Sequence, residues 1–76
     1  MATVVMPELG EEIKNAVVSC WYFKAGDRVK EDDDLVELAT DKATFNVSSP
    51  KAGTLKEILR KEGQEVTVGE TLAVIE

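Results

Sequence analysis

Histidine is absent from the 76 residues, and cysteine occurs once, as Cys20. Without histidine the commonest general base and the commonest zinc ligand are missing. A lone cysteine forms no internal disulfide and no thiolate metal cluster, which points to a reducing compartment: the cytoplasm, or the matrix in a mitochondrion. Cys20 lies in Val17-Val18-Ser19-Cys20-Trp21-Tyr22-Phe23 with no histidine to activate it, so it reads as a half-buried strand cysteine. No run approaches the roughly 20 apolar residues of a membrane span. Met1-Ala2-Thr3 opens no basic and then apolar signal segment. No membrane partner is therefore expected. Basic residues are scarce, 9 against 15 acidic, for a net charge of −6. Nucleic acid needs clustered Lys and Arg and is excluded as a partner. The acidic balance keeps a small domain soluble and is suited to basic docking patches. The run Lys30-Glu31-Asp32-Asp33-Asp34 lacks the spacing, glycine and final Glu of a calcium loop and reads as a solvated turn. No nucleophile and base pair, metal cluster or phosphate loop can be assembled, so an independent enzyme is not expected.

What is present is a series of short apolar runs cut by turn residues. Val4-Val5-Met6 stops at Pro7, and Ala16 to Phe23 stops at Ala25-Gly26-Asp27. Leu35 to Thr40 and Thr44 to Val47 alternate, Thr54 to Arg60 is helical or extended by composition, and Leu72 to Ile75 is short and apolar. This spacing predicts an all-β sandwich or barrel formed by one domain over residues 1–76. A domain of this size buries only about 60% of its unfolded surface, so its core is small.

Lys24-Ala25-Gly26-Asp27-Arg28-Val29, followed by Leu35 and Leu38, recurs as Lys61-Glu62-Gly63-Gln64-Glu65-Val66, followed by Leu72 and Ile75. Every matched pair stands 37 residues apart, from Lys24 to Lys61 onward. The repeat predicts two similar halves about a pseudo-two-fold axis. Gly26 and Gly63 are each expected at positive φ, with Val29 and Val66 plugging the core after the turn. The strand of Val4 and Met6 should lie beside that of Leu72 and Val74. The chain termini then fall at the end opposite the Asp41-Lys42 turn.

With Asp41-Lys42 as a two-residue loop, Ala39 faces Thr44, Leu38 faces Phe45, Glu37 faces Asn46 and Val36 faces Val47. Val36, Leu38, Phe45 and Val47 then share one face, and Glu37, Ala39, Thr44 and Asn46 the other. A slip of one residue destroys that separation. The register places Lys42 at the apex. The loop has no glycine, so a type I turn is expected in place of the primed hairpin turns. On this pattern alone, an exposed turn lysine is a common solvated residue.

The chain contains, in order, Met6-Pro7-Glu8-Leu9-Gly10-Glu11, Trp21, Lys24, Gly26-Asp27, Val29, Asp34-Leu35, Thr40-Asp41-Lys42-Ala43, Val47, Ser49-Pro50, Gly53 and Gly63. By these residues it resembles the lipoyl domains of 2-oxo acid dehydrogenase acyltransferase components. Each motif is short; their order and spacing cover essentially the whole chain. The resemblance implies a flattened β-barrel or sandwich of two four-stranded antiparallel sheets. It implies lipoic acid joined to Lys42 by an amide, with Asp41 and Ala43 positioning the lysine for the lipoate-attaching enzyme. It further implies that Glu8, Leu9, Gly10, Glu11 and Glu12 form a loop near the tip that helps partners recognise the domain. The implied partners are a thiamine-dependent 2-oxo acid decarboxylase, an acyltransferase core and a flavin-containing dihydrolipoamide dehydrogenase, served by a monomeric carrier domain with no catalysis of its own. The family often has Glu where this chain has Ala39, and Gly near Asn15 or Ala16.

Two other functions share the architecture. Biotin carrier domains resemble this one but set their lysine between methionines, whereas the only methionines here are Met1 and Met6. An unmodified lipoyl-like interaction module has no need of Asp-Lys-Ala at the tip.

Overall fold

The computed structural model describes residues 1–76, all of whose regular structure is β. The strands are β1 (Ala2–Val5), β2 (Asn15–Trp21), β3 (Arg28–Val29), β4 (Asp34–Ala39), β5 (Thr44–Ser48), β6 (Gly53–Ile58), β7 (Glu65–Thr67) and β8 (Thr71–Ile75). They form two four-stranded sheets, β1-β8-β6-β3 and β5-β4-β2-β7, with every neighbouring pair antiparallel. The sheets face each other as a flattened sandwich. Val4, Leu55, Leu72 and Ile75 from one sheet and Val18, Leu35, Leu38 and Val66 from the other share a single buried cluster.

The segment from Thr54 to Arg60, read from composition as helical or extended, is extended. Leu55 is its one fully buried residue, and β6 pairs with both β8 and β3. Pairing on two sides decides a conformation that local propensity leaves open. Strands β3 and β7 have two and three residues, too few to show a period in the sequence. Their valines behave as the repeat requires: Val29 is 3% exposed and Val66 0%.

The repeat is reproduced bond for bond. Gly26 and Gly63 take φ of 99° and 89°. In each turn the lysine N–H is held by the side chain three residues on, Lys24 by Asp27 Oδ2 at 2.8 Å and Lys61 by Gln64 Oε1 at 2.6 Å. Gly26 N–H donates to Leu55 C=O at 2.7 Å, and Gly63 N–H donates to Val18 C=O at 2.8 Å. A second pair of turns follows the same rule: Asp33 Oδ2 accepts from Lys30 N–H at 2.9 Å, and Glu70 Oε1 from Thr67 N–H at 3.1 Å. The acidic run is thus a turn held by Asp33. Glu70 gains more than its counterpart, since the Thr67 hydroxyl (2.7 Å) and Arg60 Nε (2.9 Å) also donate to it. Those two bonds, Thr67 first, hold its carboxyl below the ordinary value of 4.5.

The hairpin register is the one the apolar pattern dictates: Val36 opposite Val47, Glu37 opposite Asn46, Leu38 opposite Phe45 and Ala39 opposite Thr44. Below it the register shifts between Asp34 and Val36. That bulge lets the consecutive residues Leu35 and Val36 both be buried, which strict alternation forbids. Phe45 is half-buried, where the pattern placed it on the inner face. β1 lies beside β8, with Val4 opposite Ala73 and Thr3 opposite Val74. The open end of that pair, where Ala2 faces Ile75, is the counterpart of the closed turn after Ala39.

A Cβ on Gly26 or Gly63 meets no atom within 4 Å. Alanine there costs backbone strain without a clash. Gly26→Ala and Gly63→Ala should each lower stability by about 1–3 kcal/mol in urea unfolding. A neutral result at either position would show that its turn accepts another conformation.

Candidate functional site

The tip is built from four residues. Asp41 and Lys42 close the β4–β5 hairpin, and neither has a positive φ; Asp32, at 71°, is the one non-glycine that does. The primed turns are thereby excluded, as the missing glycine predicts. On the main chain, Thr40 N–H donates to Ala43 C=O at 2.8 Å. The Thr40 side chain supplies the rest. Its Oγ1 accepts from Lys42 N–H at 3.3 Å and from Ala43 N–H at 3.2 Å, and its hydroxyl donates to Ala43 C=O at 3.0 Å. The motif included Thr40, but sequence reasoning gave it no task. The available signal was a hydroxyl residue at the first position of a tight turn, where such side chains bond the backbone two or three residues on.

The Lys42 side chain is 79% exposed, and its Nζ lies 3.5 Å from Glu12 Oε2, itself 87% exposed. A pair so solvated contributes at most about 1 kcal/mol. Glu12 arrives there because its loop is tied at both ends. Leu9 packs half-buried against the core, and Ile13 N–H donates to Gly10 C=O at 3.1 Å. Glu8 and Glu11 of the same loop are exposed and form no ion pair. Asp41 and Ala43 are exposed on either side of the lysine. Between loop and tip runs an open groove of about 470 Å³, lined by Glu12, Asn15, Ala16, Thr40, Lys42 and Glu65 among others. Chemically the tip offers a primary amine on a short, well-bonded turn, restrained by one weak contact.

A family model described as biotin-requiring enzyme, the biotin/lipoyl model, matches residues 2–75. The solution structure of the lipoyl domain of the 2-oxoglutarate dehydrogenase complex from Azotobacter vinelandii superposes with a TM-score of 0.77 at 33% identity, covering 99% of this chain and 96% of that one. The chain is a lipoyl domain of the biotin/lipoyl family. Among curated relatives, the succinyltransferase component of the 2-oxoglutarate dehydrogenase complex of Bartonella vinsonii subsp. berkhoffii is 48% identical over 71 residues, 93% of this chain and 17% of that protein. The corresponding component of Rickettsia typhi is 43% identical over 72 residues, 95% of this chain. The chain spans under a fifth, 18%, of the length of that relative. The urea carboxylase of Kluyveromyces lactis contains a region of the same fold, with a TM-score of 0.84 at 23% identity, over 99% of this chain and 6% of that one.

Elsewhere in this lipoyl domain, Trp21 is half-buried and its indole N–H donates to Arg60 C=O at 2.8 Å, so it is a strand residue with its polar atom satisfied. Cys20 is half-buried on β2, with Sγ 3.5 Å from Glu37 Oε2. Partial burial, and after it the Glu37 hydrogen bond and charge, push the thiol above its ordinary 9.0. Partial burial and the Glu37 charge likewise raise the Tyr22 phenol. A thiol held protonated is a poor nucleophile.

The sign of the Glu37 effect is testable. Glu37→Gln removes a negative charge and should lower the Cys20 pKa. At about pH 8, iodoacetamide should then alkylate Cys20 faster by roughly twofold or more. Burial persists in the variant, so the rate should stay below that of an unstructured cysteine peptide. An unchanged rate would mean that Glu37 does not restrain the thiol.

Proposed function

We propose that this domain is a swinging-arm carrier whose arm is lipoic acid in amide linkage to Lys42. The observation that carries the reading is the placement of Lys42 at the apex of a turn between Asp41 and Ala43, its Nζ restrained only by the solvated Glu12 pair. The residues fit the group. Acylation of Nζ removes the ammonium charge. The one interaction thereby lost is an exposed ion pair, and its loss costs little. No methionine flanks the lysine, which favours lipoate over biotin.

When attached, the group supplies a dithiolane that accepts electrons and an acyl unit. The domain's own task is to present, orient and tether. Tethering raises the arm's effective concentration at each site it visits. A short bonded turn sets the arm's base for the attaching enzyme and then for the partners. The named relatives belong to 2-oxo acid dehydrogenase complexes. On that basis the partners are a lipoate-attaching enzyme, a thiamine-dependent 2-oxo acid decarboxylase, an acyltransferase core and dihydrolipoamide dehydrogenase. Acyl transfer itself belongs to another domain. The loop from Glu8 to Glu12, whose last residue touches Lys42, is the surface these partners meet together with Asp41 and Ala43. No helix is long and apolar enough to cross a membrane, and the reading places the domain in the cytoplasm or in a mitochondrial matrix.

Incubation with ATP, lipoate and a lipoate ligase should give a single lipoyl adduct by intact mass. Lys42→Ala should abolish the adduct while changing stability by no more than about 0.5 kcal/mol. Biotin with a biotin ligase should give none. A biotin adduct, or no adduct with either ligase, would overturn the reading.

A further inference from the structure

The lysine side chain is held by almost nothing, so the position of its amine follows from the backbone beneath it. That backbone lacks the usual means of fixing a two-residue turn. It has no glycine and no positive φ at Asp41 or Lys42. The Ala43 N–H is bonded to the Thr40 hydroxyl oxygen at 3.2 Å and the Lys42 N–H to the same atom at 3.3 Å. The hydroxyl proton goes to Ala43 C=O at 3.0 Å, an acceptor it shares with Thr40 N–H at 2.8 Å. One oxygen thus takes part in three bonds and ties together the two ends of the peptide run from Thr40 to Ala43. Asp41 makes no side-chain bond to this turn and is no part of the clasp.

We infer that Thr40 is the positioning residue for modification of Lys42, acting through the backbone N–H groups of Lys42 and Ala43. This rests on the carrier reading and adds to it a residue that touches neither lipoate nor the amine. Without the hydroxyl, the N–H groups of Lys42 and Ala43 turn to water, Ala43 C=O keeps only its bond from Thr40 N–H, and the turn samples other conformations. The amine stays exposed and reactive, but its direction is no longer fixed. An enzyme that must align an amine with an activated carboxyl loses rate when the bound geometry is displaced by an ångström.

The experiment compares Thr40→Val, which keeps the shape and removes the hydroxyl, with Thr40→Ser, which keeps the hydroxyl. Four measurements are made on each folded domain: ligase-dependent lipoylation rate, acetylation of Lys42 by a small activated ester, amide hydrogen exchange at Lys42 and Ala43, and the thermal midpoint. Thr40→Val should slow lipoylation by about tenfold or more and speed exchange at both amides. Chemical acetylation should stay within about twofold, because the exposure of the amine is unchanged. Thr40→Ser should restore both the ligase rate and the amide protection. Thr40→Ala is the second hydroxyl-free variant, and it should match Thr40→Val in ligase rate whatever its thermal midpoint. A wild-type rate in Thr40→Val, or failure of Thr40→Ser to recover it, would overturn the role of Thr40. Absence of any wild-type adduct would instead overturn the carrier reading.

Discussion

The pairing of β4 with β5 is the constraint on which the site depends. Side chains alternate along a strand, so the burial of Val36, Leu38 and Val47 admits one register and no neighbour of it. A slip by one residue would bring Glu37 and Asn46 inward and move the lysine off the apex. The bulge at Leu35 ends this strict alternation, but it lies at the opposite end of β4 from the turn. The core thus gains a second buried residue there without disturbing the tip. Position at the apex is in this sense a consequence of core packing several residues away.

The two-fold repeat frames the same hairpin. Each sheet has one apolar face and cannot bury it alone, and each draws strands from both halves, β3 lying with β6 and β8, and β7 with β2 and β4; face to face, the sheets form one core. The matched bonds at Gly26 and Gly63, and at Asp33 and Glu70, show that the halves share turns as well as strands. They also cross-link, since Gly26 reaches Leu55 in the second half and Gly63 reaches Val18 in the first. Symmetry makes the β1–β8 pair the counterpart of the β4–β5 hairpin. One copy of the motif is closed by Thr40 to Ala43, and the other is open at the chain ends. Only the closed copy carries a lysine on a turn.

Much of this was legible because it depends on patterns longer than a few residues. The hairpin register follows from eight alternating positions, and the turn glycines follow from their recurrence at a fixed offset. What escaped is short or three-dimensional. β3 and β7 exist because Val29 and Val66 pair across to other strands, which local composition does not record. β6 has a helix-compatible composition, and its pairing on two sides overrides it. The bulge at Leu35 is invisible because alternation through Val36 and Leu38 puts Leu35 on the outer face, and only the register shift against β5 brings it inward. At the site, the approach of Glu12 to Lys42 depends on a loop path that no periodicity encodes. The Thr40 clasp is local, yet a hydroxyl in a turn is too common to stand out without its three bonds in view.

The central claim is that the register, and not mere exposure, makes this lysine the attachment point. Transposing the two loop residues, Asp41→Lys with Lys42→Asp, keeps composition, charge and loop length and moves the amine by one position. The account predicts a domain with unaltered circular dichroism and thermal midpoint that acquires no lipoyl group from the ligase in the time the wild type is fully modified. Modification of the transposed lysine at the wild-type rate would contradict it.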